Sequence, residues 1–66
     1  MGLRAKRYAL HMKDGQPTLE GLLVRRGRRA YTLIAAAIVE DEDRTHPLAG
    51  HIEVPRENIY VLQQID

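Results

Sequence analysis

Arg25, Arg26, Arg28 and Arg29 stand around Gly27 within five residues, and guanidiniums held that close must point into solvent or at an anion. Phosphates bind such a cluster more tightly with each charge neutralised, and an acidic protein surface meets it by the same attraction. A solvated turn is the plain alternative. Arg56 adds a further cation, and Tyr31 and Tyr60 add rings that can stack on a base, lie on a neighbouring subunit, or pack at a rim. Glu40, Asp41, Glu42 and Asp43 form a run of opposite sign after the apolar residues 30–39. As a strand, those ten residues would span about 30 Å and hold the arginines and the acidic docking loop at opposite ends. That arrangement suits head-to-tail contact between copies, with two solvated loops as the bland reading.

Other chemistry is thinly represented. His46, His51, Glu53 and Asp43 are ligand types, but they, like His11, follow no metal-ligand spacing. No nucleophile sits in a recognisable motif and there is no glycine-rich phosphate loop, so neither catalysis, a metal nor a cofactor is expected.

The elements that position these residues must fit a single domain of 66 residues with net charge +1 and no cysteine. A chain this short buries only about 60% of its unfolded surface. Disulfides and cysteine-based zinc sites being excluded, subunit association is the expected source of extra stability. No run approaches the roughly 18 apolar residues of a membrane helix. Arg4, Lys6 and Arg7 precede no apolar segment of a secretory signal. The expected location is therefore cytoplasmic, or a virion assembled there. Eight arginines against two lysines, with many alanines and no serine, suggest a GC-rich coding genome.

The alternation of apolar residues predicts five strands. Residues 3–12 make the first, with Tyr8, Leu10 and Met12 on one face, although a short helix fits its first half. Asp14-Gly15 then supplies a hairpin turn and Pro17 its exit. Residues 18–25 follow with Leu19, Gly21 and Leu23 on one face, and Gly21 invites a bulge. Gly27 gives the next turn a residue that permits positive φ. Residues 30–39 are apolar on both faces, as in a central or strongly curved strand; the three alanines make helix the rival. An acidic loop over 40–47 leads to a strand at 48–54, ended by Pro55. Arg56, Glu57 and Asn58 form a single helical turn before a last strand at 59–65. The expected core is Leu10, Leu23, Leu33, Ile52, Val54, Ile59 and Val61. Together this is an all-β chain, a small five-stranded SH3- or Sm-type barrel with one 3-10 or short helical turn.

From Gly21 onward the chain resembles the Sm and Sm-like (LSm) family. Gly21, Leu23, Gly27, Ala30, Tyr31, Ile34, Ala37 and Glu40 fall on or near the spacing of its first motif. Val54, Pro55, Arg56, Glu57, Asn58, Ile59, Val61 and Leu62 match the second. The resemblance implies a ring in which the fourth strand of one subunit pairs with the fifth of the next, which would place Leu48, Gly50, Ile52, Ile59, Val61 and Gln63 at a subunit interface. It also implies RNA as a possible ligand, although the family's RNA-contacting turn has Asp and Asn where this chain has Gly27 and Tyr31. Gly50, Pro55, Asn58, Tyr60 and Val61 are similar to the end of an SH3 domain, but without Trp or Phe the chain lacks the aromatic slots of its peptide groove. The overall pattern also resembles short proteins of actinobacterial phage structural gene clusters. The expectation is a non-enzymatic assembly module, a repeated component of a larger particle such as a phage virion (its head or head–tail region), or alternatively an RNA-binding Sm-like ring protein.

Overall fold

Asp14 and Gly15 both have positive φ, 60° and 70°, and the Gln16 N–H donates to the Lys13 carbonyl at 3.3 Å. Two consecutive left-handed residues give the turn whose twist matches that of the strands it joins. It connects β1 (Lys6–Met12) to β2 (Thr18–Arg26) in the computed structural model, which describes residues 5–66. Residues 3 and 4 of the expected first strand lie outside the described residues. The register sets Tyr8 opposite Gly21 and Leu10 opposite Leu19, so the apolar faces of the two strands coincide as their alternation requires.

β3 (Ala30–Asp41) settles the rivalry between strand and helix, pairing with β2 on one side and with β4 (Arg44–Leu48) and β5 (Ile52–Pro55) on the other. Along β2, Leu22 faces Ile34 and Glu20 faces Ala37, which leaves Ala35 and Ala36 together opposite Gly21. The extra residue is Ala35, at φ 48°, and this bulge turns both Leu33 and Ala36 inward although they are three residues apart. Gly21 accommodates it, since a Cβ there would stand 3.1 Å from the Cα and Cβ of Ala36 and from the Ile34 carbonyl oxygen.

The acidic loop expected over residues 40–47 is instead a tight hairpin. The Asp41 carboxylate accepts the N–H groups of Asp43 and Arg44 at 2.8 and 2.9 Å, so the chain reverses over Glu42 and Asp43 alone. Arg44, Thr45, His46 and Pro47 then form an edge strand, where polar side chains and a proline are tolerated. Asp41→Ala should cost about 0.5–1.5 kcal/mol by removing the oxygen that accepts both N–H groups; a thermal melt compared with Asp41→Asn, which keeps an acceptor oxygen, checks it. The strand expected at 48–54 is broken around Gly50, at φ 76°, and only Ile52–Pro55 resumes pairing with β3. The 3-10 turn Arg56–Asn58 carries the chain across to the free side of β1, where β6 (Ile59–Gln64) pairs.

The result is one antiparallel sheet of six strands in the order β4-β3-β2-β1-β6, with β5 also on β3. Two corrections follow. There are six strands rather than five because Arg44–Leu48, within and just beyond the expected loop, pairs with β3 as a strand of its own, and the sheet is not a closed barrel because no ladder among the described residues joins β6 back to β4 or β5.

Leu10 and Leu33 are wholly buried, and Leu23, Ala36 and Val54 complete their cluster. Ile52 and Ile59 only flank this core, and Val61, expected inside it, is 43% exposed. The cause is a bulge at Tyr60. His11 faces Val61 while Met12 faces Ile59, so β6 skips a residue and turns Ile59 and Leu62 inward together.

Candidate functional site

Ala30 pairs with Pro55, and this register brings the 3-10 turn against the turn between β2 and β3. The Arg56 N–H donates to the Arg29 carbonyl at 2.8 Å, and its guanidinium Nη1 donates to the Arg28 carbonyl at 3.2 Å. The same guanidinium lies 5.3 Å from the centroid of the Tyr31 ring, within cation–π range. Arg56 is thus held on both sides before any ligand arrives. Its neighbours Arg28 and Arg29 occupy the tip of the turn, and with Glu57 the three arginines line a surface cleft of about 560 Å³. None of the three makes an ion pair among the described residues.

Gly27 is required here for a different reason from the one its type suggests. Its φ is not positive, but its N–H donates to the Ala30 carbonyl at 2.9 Å and a Cβ would lie only 2.6 Å from that oxygen. A close backbone approach, rather than a left-handed conformation, selects glycine at this turn.

The other arginines of the run are elsewhere. Arg26 donates from Nη2 to the Tyr8 hydroxyl at 2.7 Å and lies 5.2 Å from that ring's centroid, in a hollow lined also by Lys6 and Leu23. Arg25 stands opposite Thr32 and belongs to neither group. Val24 is an unmatched residue between the Leu23–Leu33 and Arg25–Thr32 pairs, so the register shifts just before the arginines. Tyr8 and Lys6 were not among the residues expected at a site, and only the hairpin register brings them to Arg26.

Comparison with protein-family models, with curated proteins and with solved structures finds no match.

At the far end of β3, Glu40 faces Arg44 at 3.9 Å and His46 at 3.4 Å, while the Asp41 carboxylate is taken up by its own turn. Glu42 and Asp43 remain as exposed carboxylates at the hairpin tip, without ion-pair partners among the described residues. The metal-ligand types Asp43, His46, His51 and Glu53 are not brought into one group, and His11 is bound to Gln63 at 2.8 Å. No described helix is long and apolar enough to cross a membrane.

The residues expected at a subunit contact lie on two unpaired margins of the sheet. Leu48, Gly50 and Ile52 follow β4 and β5, and Ile59, Val61 and Gln63 follow β6. Tyr31, expected at a rim, packs against the core beneath Arg56, whereas Tyr60 is 75% exposed and stands outside the core cluster.

Proposed function

We propose that this chain is a non-enzymatic assembly module that works as a repeated component of a larger particle. The observation that carries this reading is β6. It is a six-residue edge, Ile-Tyr-Val-Leu-Gln-Gln, with no charge or proline in it, and Tyr60, Val61 and, just beyond, Ile65 are three of the four large apolar side chains exposed among the described residues. An unguarded edge is a template for another strand, which natural proteins blunt or pair. The β4–β5 margin carries Arg44, His46, Pro47, Glu53 and Pro55, which discourages indiscriminate pairing and leaves room for a specific one. The Sm-like resemblance supports pairing of β6 with the β4–β5 margin of the next copy, and the likeness to phage structural-cluster proteins supports a virion as the particle.

The backbone offers a direct test. Ile65 donates to the Arg7 carbonyl at 3.0 Å, so by the two-residue alternation of an antiparallel ladder the N–H groups of Gln63 and Val61 also face β1, and those of Gln64 and Leu62 face outward. Gln64→Pro should therefore abolish association while leaving the fold standing, and Val61→Pro should damage the fold itself. Light scattering with circular dichroism separates the two outcomes. A wild-type chain that stays monomeric from micromolar to millimolar concentration would sink the proposal.

A second reading, an RNA-binding ring, is favoured by one observation, the preset Arg56–Tyr31 pair beside Arg28 and Arg29. It requires affinity for single-stranded RNA to fall with salt, at a log–log slope of about −0.7 for each phosphate neutralised.

A further inference from the structure

We infer that the arginine cleft is the receptor for the β3–β4 hairpin tip of a second copy of this chain, docked head to tail. The inference rests on the reading that the chain works by association, though not on which sheet edges pair. The cleft presents three cations and one anion, Arg28, Arg29, Arg56 and Glu57. The tip presents charges of the opposite balance in consecutive residues: two carboxylates, Glu42 and Asp43, and then one guanidinium, Arg44.

Carboxylates with no ion-pair partner among the described residues meet arginines with none, and a guanidinium fork takes a carboxylate by two parallel N–H···O bonds. Arg44, whose contact to Glu40 is long at 3.9 Å and exposed, is free to reach Glu57. A nucleic-acid backbone fits the cleft less well, because it offers no cation to Glu57 and the chain's net charge of +1 provides no general attraction for a polyanion.

The fold makes the contact intermolecular. Cleft and tip lie at opposite ends of the twelve-residue β3, so no copy can bring its own tip to its own cleft. Two different surfaces meeting in this way form a heterologous contact, which propagates to a ring or a filament. The Asp41 cap keeps the tip at two residues, and the bonds of Arg56 to the Arg28 and Arg29 carbonyls tie the 3-10 turn to the β2–β3 turn.

The test is a charge swap. One variant reverses the cleft, Arg28→Glu with Arg29→Glu, and the other reverses the tip, Glu42→Lys with Asp43→Lys. Each alone should lose association by about tenfold or more in low salt, because like charges then face each other. Mixed in equal amounts the two should associate again, since the native tip of one meets the native cleft of the other and the reversed pair is also complementary. Recovery on mixing excludes misfolding as the cause of the loss. If the wild type associates and neither swap weakens it, the docking inference is overturned while association through the edges stands. If the wild type never associates, both fall. If the cleft swap instead abolishes binding of a labelled single-stranded RNA and leaves association unchanged, the cleft is a nucleic-acid site and the inference is wrong.

Discussion

Leu33→Ala is expected to remove a large part of the chain's folding stability. Leu33 and Leu10 are the only large side chains with no remaining exposure among the described residues, and the cluster around them adds just Leu23, Val54 and Ala36. Truncating such a leucine costs about 2–5 kcal/mol, the lost transfer energy plus the cavity left behind. At the usual 0.05–0.15 kcal/mol per residue, a domain of this length has roughly 3–10 kcal/mol in total. The core offers little means of collapsing around the hole, since Leu33 lies on a strand paired on both sides. Urea titration followed by far-UV circular dichroism would measure the loss. Leu33→Met, which nearly conserves volume, should cost under about 1.5 kcal/mol and serves as the control. A loss below about 1 kcal/mol for the alanine variant would mean that stability resides elsewhere, for instance in an assembly that forms at the concentration used.

Much of this architecture can be read from residue types alone. Asp14-Gly15 names its turn, the apolar face of β2 follows its alternation, and Pro55 with the three residues after it marks the 3-10 turn. What alternation misses are the bulges, because a single inserted residue inverts every later face. Counting by twos from Ile59 puts Val61 inside; Tyr60 breaks the count, and Leu62 is inside instead. β4 is missed for another reason. On an exposed edge strand, where polar side chains and a proline are tolerated, Arg44, Thr45, His46 and Pro47 have the composition of a loop, and pairing alone distinguishes them.

The candidate site shows the same division. The arginine types were legible, but their grouping was not. A run of four near neighbours looks like one patch, yet Arg25 and Arg26 end β2 while Arg28 and Arg29 lie in the turn after it, and only the latter pair lines the cleft with Arg56. Arg56, remote in sequence, joins the latter pair because Pro55 lies opposite Ala30. The backbone ladder, rather than local charge density, decides which cations act together. The acidic run divides likewise, with Glu40 and Asp41 engaged within the hairpin and Glu42 and Asp43 exposed at its tip.

Gly21→Val should destabilise the chain by about 1–3 kcal/mol, the reverse of what strand propensity recommends. Valine suits a pleated strand and glycine weakens one, so propensity alone would make this exchange favourable by up to about 1 kcal/mol. The bulge at Ala35 overrides that preference. It presses β3 onto Gly21 so that any Cβ would stand 3.1 Å from three atoms, and two of these, the Ala36 Cα and the Ile34 carbonyl oxygen, are backbone. They can give way only if the ladder shifts, and the two further methyls of valine need more room still. Ala36→Gly removes one of the three obstacles and leaves the backbone pair. Combined with Gly21→Ala it should therefore recover only part of the loss, with a coupling of about 0.5 kcal/mol or more in a double-mutant cycle. Chemical denaturation of the four proteins gives each side of the cycle. Stabilisation by Gly21→Val would show that β3 does not approach β2 this closely, and the inward turn of both Leu33 and Ala36 would then need another cause.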